Sequence, residues 1–187
     1  EETTALLKSI LDIPKGFEVL WLGLPARMHF SAIPMNFLKD QEKAAYVVSG
    51  MWSEMAFAEA KRLFPDASYC AASTKDNGFK NKPSACHFKP NTEYLYFTPN
   101  ETVHGVAYSP SEDIKLPLVA DMTSCILSET IDFKRYACIF AGAQKNIANA
   151  GLSVVIVRED FLEHLPSPAL PLTIDYRTHV QHHSLYV

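Results

Sequence analysis

The chain has 187 residues, of which 48% are hydrophobic and 20% are charged, and its formal net charge is −4. This length and composition are typical of one globular domain with a buried core. The negative charge argues against a nucleic acid as partner, and no apolar run is long enough to predict a membrane-spanning helix. The four cysteines are scattered without a CxxC pair, so we expect free thiols in a reducing, cytoplasmic environment and no metal site.

Helical and extended patterns alternate through the first half of the chain. Apolar residues at Leu6, Leu7, Ile10 and Leu11 recur with the period of a helix, and Pro14 ends that pattern. The predicted elements are a helix at Thr3–Asp12, a strand at Phe17–Leu22, a helix at Phe30–Leu38, a strand at Ala44–Val48, and a helix that Ser53 caps and that runs to Leu63.

Short apolar runs separated by turn residues dominate the second half. They predict strands at Ala67–Ala72, Glu93–Phe97, Leu116–Ala120, Tyr136–Ala141 and Leu152–Val157, with a polar loop at Ser73–Lys89, a short helix at Asp160–His164 and an extended connection at Pro166–Pro171. Because strands alternate with helices in the first half, we expect an α/β fold with a mainly parallel sheet.

One lysine stands alone between the last two apolar runs. Lys145 is the only charged residue between Arg135 and Arg158, and it lies on a loop of small and polar residues. We expect this amine to be partly desolvated, which favours the neutral, nucleophilic form that a Schiff-base lysine requires. The alternative is an ordinary loop lysine whose head group extends into water.

The sequence around this lysine resembles the phosphoserine aminotransferase family. The resemblance rests on AGAQKN with the flanking runs ADMTSCILSETIDFKRYACIF and AGLSVVIVRED, and on PNETVHG, GMWSEMAFAEAKR and FSAIPMNFL. These segments occur in family order and cover nearly the whole chain. The family has the fold of the large domain of fold-type I pyridoxal-phosphate enzymes. The resemblance therefore implies a three-layer sandwich with a mainly parallel central sheet.

The resemblance also implies a division into domains. Enzymes of the family carry a second, smaller domain. We therefore expect residues 1–187 to be a single partial domain, the cofactor-binding large domain, with the small domain absent.

The family's catalytic pair matches two residues of this chain. Lys145 matches the lysine that binds pyridoxal phosphate covalently and then carries a proton as general base. Asp121 follows the predicted strand Leu116–Ala120 and matches the carboxylate that keeps the pyridine nitrogen protonated. Without the resemblance, Asp121 would be interpreted equally well as a helix N-cap or a turn residue.

Three more residues match cofactor contacts of the family. Trp52 corresponds to a tryptophan that stacks on the cofactor ring, Thr102 to a threonine near the phenolic oxygen, and Gln144 to a phosphate-binding glutamine. Taken alone, a tryptophan is more often a core residue, and the other two would be ordinary polar loop residues.

The predicted phosphate-binding turn departs from the family pattern. Where the family has glycines before an arginine, this chain has Leu24, Pro25, Ala26 and Arg27. Ala26 and Arg27 can offer backbone N–H groups to a phosphate, and the Arg27 side chain could bind substrate or phosphate. Val187 stands where the family has an asparagine that reaches the partner subunit's cofactor.

The resemblance implies amino transfer from glutamate to 3-phosphohydroxypyruvate, which yields O-phosphoserine. It also implies a homodimer with a shared active site, and small-molecule substrates as ligands. One alternative is a related enzyme with another donor or acceptor, such as an alanine–glyoxylate aminotransferase or a cysteine desulfurase. Another is a non-catalytic binding or dimerisation module. A nucleotide-binding Rossmann domain is disfavoured because no GxGxxG follows any predicted strand.

Overall fold

The computed structural model describes residues 2–163 and 170–186. The helices are α1 (Glu2–Ile10), α2 (His29–Phe37), α3 (Met51–Leu63), α4 (Glu159–Leu162) and α5 (Tyr176–Gln181). The strands are β1 (Phe17–Leu22), β2 (Lys43–Val48), β3 (Ser68–Ser73), β4 (Thr92–Phe97), β5 (Asn100–Glu101), β6 (Val106–Ala107), β7 (Leu118–Asp121), β8 (Tyr136–Gly142) and β9 (Ser153–Arg158). The predicted extended connection at Pro166–Pro171 falls mostly outside the described residues, and Val187 falls wholly outside them.

A seven-stranded sheet forms the centre of the fold, in the order β1-β9-β8-β7-β4-β2-β3. The strands from β8 to β3 pair in parallel, whereas β9 pairs antiparallel with both β8 and β1. One strand of the sheet therefore runs against the other six. Strands β5 and β6 form a separate two-stranded hairpin.

Each face of the sheet carries its own hydrophobic core. Helices α2 to α5 cover one face, where Phe37, Tyr46 and Phe140 are buried. On the other face Leu7 of α1 and Leu11, directly after the end of that helix, belong to a second cluster. The parallel strands are buried on both faces, so they are apolar throughout instead of alternating. The predicted α/β three-layer sandwich with a mainly parallel sheet is confirmed.

The start of α3 differs from its prediction. Ser53 is not the N-cap, because the helix begins at Met51, two residues earlier. The Ser53 hydroxyl lies inside the first turn and accepts hydrogen bonds from the N–H groups of Ser49 and Gly50, at 3.0 and 3.2 Å. Farther along, Ala56 and Ala60 are fully buried, one helical turn apart, against the sheet.

Candidate active site

The carboxyl ends of β1, β2, β4, β7 and β8 lie at one edge of the sheet, where parallel strands of α/β proteins place their ligand sites. The turns that follow these strands surround a cavity of about 390 Å³, within the usual range for small-molecule pockets. All the site residues predicted from the sequence line this one cavity: Ala26, Arg27, Trp52, Thr102, Asp121, Gln144 and Lys145.

Asp121 ends β7 and is 6% exposed at the inner part of the cavity. Its Oδ1 accepts two hydrogen bonds from Thr123, one from the backbone N–H at 3.0 Å and one from the hydroxyl at 2.6 Å. Among the described residues no donor contacts Oδ2. Burial raises the pKa of Asp121 to about 6, although the Thr123 hydrogen bonds oppose the shift. A buried carboxylate with a free oxygen is suited to a cationic partner.

Lys145 lies on the loop that joins β8 to β9. The Ala143 N–H closes this loop on the Leu152 carbonyl at 2.8 Å, and the Asn146 amide anchors it to the Ile126 carbonyl at 2.7 Å. The Lys145 side chain is exposed at the cavity, so the partial desolvation expected from the sequence is wrong for the described chain. The loop extends beyond the sheet edge, and no described element covers it.

Gln144 precedes this lysine and folds back over the end of β8. A Cβ at Gly142 would collide with the Gln144 side chain and would lie 3.1 Å from the Ala26 methyl group. The absence of a side chain at Gly142 therefore leaves room for the glutamine amide beside the turn that contains Ala26. The predicted phosphate-binding residues are neighbours in space.

Trp52 forms an aromatic wall of the cavity from the first turn of α3. Its indole Nε1–H donates to the Thr102 hydroxyl at 3.2 Å, and the Arg27 guanidinium carbon lies 5.4 Å from the ring centroid. These contacts place a half-buried, flat surface next to a hydroxyl that still has a hydrogen to donate.

The turn that lacks the family's glycines folds without strain. Among the described residues, none from Leu24 to Met28 has a positive φ, so Leu24 and Ala26 meet no steric penalty there. A short 3-10 turn, Ala26–Met28, leads directly into α2. No described acceptor binds the backbone N–H of Ala26 or Arg27. Two free donors at the start of a helix suit an anion.

Several residues that line or support the cavity were missed by the sequence analysis. The Thr98 hydroxyl is buried in the cavity lining and has no hydrogen-bond partner among the described residues. Thr123 fixes Asp121 and also accepts the Gly142 N–H at 3.1 Å, which joins the ends of β7 and β8. Glu101 is fully buried behind Trp52. The contacts that Glu101 makes with α3 and that Thr123 makes with Gly142 join residues distant in sequence, so local patterns could not have predicted them.

No helix among the described residues combines the length and apolar character needed to cross a bilayer. No group of three or more His, Cys, Asp or Glu side chains in that part of the chain could hold a metal ion.

The aminotransferase class-V family model matches residues 1–182. The chain is 48% identical over 184 residues to phosphoserine aminotransferase from Legionella pneumophila (strain Paris), covering 96% of this chain and 50% of that enzyme. It also resembles the crystallised phosphoserine aminotransferase from Bacillus circulans subsp. alkalophilus, with a TM-score of 0.91 and 37% identity over 100% of this chain and 52% of the other. A pyridoxal-phosphate-bound phosphoserine aminotransferase from Trichomonas vaginalis gives a TM-score of 0.90 at 35% identity, over 100% of this chain and 56% of that one.

This chain spans about half the length of the relatives that it matches. The match nevertheless extends across all the elements that form the cavity, from β1 to the loop between β8 and β9. The chain belongs to the class-V aminotransferase family.

Proposed function

We propose that residues 1–187 form the cofactor-binding domain of a pyridoxal-phosphate-dependent aminotransferase that transfers an amino group from glutamate to 3-phosphohydroxypyruvate. The observation that carries this proposal is the cavity at the carboxyl edge of the sheet. It brings a lone lysine, a buried aspartate, a tryptophan and two free backbone N–H groups together. The similarity to phosphoserine aminotransferases supports the choice of substrates.

The residues present fit pyridoxal phosphate at each of its polar groups. Asp121 has a free oxygen and would pair with the protonated pyridine nitrogen, while Trp52 would pack on the ring. Thr102 would donate to the phenolic oxygen. The N–H groups of Ala26 and Arg27, with the Gln144 amide, would bind the phosphate. When bound, pyridoxal phosphate supplies an aldehyde and an electron-accepting ring.

The remaining steps belong to side chains of this chain. Lys145 would hold the aldehyde carbon through its amine and, once displaced by the amino substrate, would carry a proton from the substrate α-carbon to the C4′ carbon of the cofactor. Asp121 would remain ionised beside the ring nitrogen, since a cation there offsets the cost of its burial. Arg27, at the cavity edge, is placed to bind an anionic group of cofactor or substrate.

We also propose a homodimer that shares its active sites, and a cytoplasmic location. The exposure of Lys145 supports the first, because a neighbouring subunit could cover the loop that no described element covers. The four free cysteines support the second.

Absorbance spectroscopy tests the cofactor proposal. Addition of pyridoxal phosphate should produce a protein-bound absorbance band that differs from that of the free compound, and Lys145→Ala should abolish it. Lys134→Ala is the matched control, because Lys134 is an exposed lysine outside the cavity. Identical spectra for the Lys145→Ala variant and the unmodified protein would refute the proposal and favour a non-catalytic module.

Amino-acceptor profiling of the full-length parent protein tests the substrate proposal. With glutamate as donor, we expect the highest kcat/KM for 3-phosphohydroxypyruvate. A preference for glyoxylate, or sulfur release from cysteine, would instead assign a related enzyme of the same fold.

A further inference from the structure

The N-terminus of α3 is capped by side chains from the hairpin of β5 and β6, which lies about 50 residues away in sequence. The N–H groups of Trp52 and Ser53 donate to the two carboxylate oxygens of Glu101, at 3.0 and 2.8 Å. The N–H of Met51 donates to His104 Nδ1 at 3.3 Å. The free donors of the first helical turn are therefore satisfied by groups that lie outside the helix.

Glu101 is 0% exposed, which is unusual for a carboxylate without a basic partner. Its two backbone hydrogen bonds are charge-assisted, and the helix dipole favours an anion at this end of a 13-residue helix. The fit is close, since a Cβ at Gly50 would lie 2.5 Å from the Glu101 carboxyl carbon. The carboxylate is thus fixed in place by both hydrogen bonding and packing.

The next residue holds the other end of the tryptophan. Thr102 accepts the indole Nε1–H of Trp52, while Glu101 accepts its backbone N–H. Two consecutive residues of β5 and its turn therefore fix the position of Trp52 at the backbone and at the ring edge. A ring held at both ends can keep one orientation toward the cavity.

We propose that Glu101 is a positioning residue for the aromatic wall of the cofactor site, holding the Trp52 ring in the orientation that stacks on the bound pyridine. The first part of this inference, that Glu101 holds the Trp52 ring, is independent of the proposed function. The second part, that the ring stacks on the bound pyridine, rests on the proposed function. A helix cap that only stabilised α3 would change the unfolding free energy but would leave the Trp52 environment of the folded protein unchanged. The two roles therefore differ in what they predict for Trp52 itself.

The experiment uses the Trp21→Phe background, in which Trp52 is the one remaining tryptophan of the sequence. In this background Glu101→Gln removes one acceptor oxygen while conserving shape. Glu54→Gln is the matched control, because Glu54 lies in the same helical turn but pairs with Lys75 at the surface. Acrylamide quenching of Trp52 fluorescence is measured without cofactor, followed by pyridoxal-phosphate affinity and the circular dichroism of the bound cofactor.

Glu101→Gln should increase the quenching of Trp52, weaken pyridoxal-phosphate binding by about tenfold, and alter the dichroism of the bound cofactor. Glu54→Gln should leave all three unchanged. If Glu101→Gln lowers the melting temperature but leaves quenching and dichroism as in the background protein, Glu101 is only a helix cap and the proposal fails.

Two further outcomes are also decisive. If Glu101→Gln does not fold, the same measurements are made on Glu101→Asp, which retains the charge on a shorter side chain. That variant should show smaller changes in the same direction. Unchanged values would refute the proposal. If the background protein binds no pyridoxal phosphate, the proposed function fails and the cofactor role of Glu101 fails with it. The quenching data then still report whether Glu101 holds Trp52, so the two failures are distinguishable.

Discussion

Replacing Asp121 by asparagine should stabilise the cofactor-free protein at neutral pH while weakening cofactor binding. The substitution keeps an oxygen that can accept both hydrogen bonds from Thr123 and removes the buried negative charge. The prediction follows from the raised pKa of Asp121, since a raised carboxyl pKa means that the folded state resists ionisation.

The magnitude follows from the size of that shift. The pKa of Asp121 rises from 3.8 to about 6, and each pKa unit corresponds to about 1.4 kcal/mol, so ionised Asp121 costs the folded state about 3 kcal/mol. Below pH 3.8 the carboxyl is protonated in both states and the cost vanishes. It develops as the pH rises from 3.8 and is complete above about pH 6. The new amide N–H groups need partners, so a net gain of about 1–3 kcal/mol is expected above pH 6.

Urea unfolding at about pH 8 and about pH 4, for both proteins, measures this difference. Asp121→Asn should be the more stable protein at the higher pH, and its advantage should shrink at the lower pH. Asp66→Asn is the control, because Asp66 is an exposed aspartate. If Asp121→Asn is equally or less stable at the higher pH while the control is neutral, the charge of Asp121 carries no burial cost and the reasoning is refuted.

Three further substitutions test the support of the site. Burial lowers the pKa of His29 from 6.5 to about 3, so its neutral form stabilises the fold above pH 6.5 and that stability is lost as the pH falls toward 3. His29→Gln should therefore make stability depend less steeply on pH in acid unfolding followed by circular dichroism. Parallel unfolding curves for the two proteins would contradict this. Thr123→Val should cost about 1 kcal/mol in urea unfolding and shift the pH midpoint of cofactor binding upward, because Asp121 loses a hydrogen-bond donor, whereas Thr123→Ser should not. Gly50→Ala should lower the free energy of unfolding by about 1–3 kcal/mol, because its Cβ would overlap the Glu101 carboxylate that caps α3. Gly23→Ala, which has open space around it, should not change stability. Equal melting temperatures for Gly50→Ala and the unmodified protein would show that the contact relaxes freely.

Local patterns in the sequence were sufficient for most of the sheet. Strand β1 was predicted with the bounds that it has, and the strands around Lys145 are displaced by one residue at most. Buried parallel strands are continuous apolar runs, so their signal is strong over a short window. Helix α5 was missed because Tyr176–Gln181 is short and its burial depends on Asn36 and His29, which are far away in sequence.

Side-chain environments were less accessible than strand positions. Ser53 was predicted as the helix cap because its type favours that role, yet the acceptors come from Glu101 and His104, which only the tertiary fold brings near. The exposure of Lys145 was missed for a related reason, since the apolar strands on either side say nothing about what covers the loop between them. By contrast, the site residues predicted from the family resemblance share one cavity, because each lies at or shortly after the end of a strand.

The position of β1 at the sheet edge has a consequence for the order of folding. Within the described sheet, β1 pairs only with β9, and its residues Phe17–Leu22 meet partners that lie more than 130 positions later in the chain. Such distant pairing is slow, because the entropy of closing a long loop is lost before any contact compensates for it. During synthesis we expect β1, and the turn at Ala26 and Arg27 that follows it, to remain unassembled until β9 has left the ribosome. The parallel strands β2, β3 and β4 can pair earlier, so the turn at Ala26 and Arg27 should be the last part of the cavity to acquire its native position.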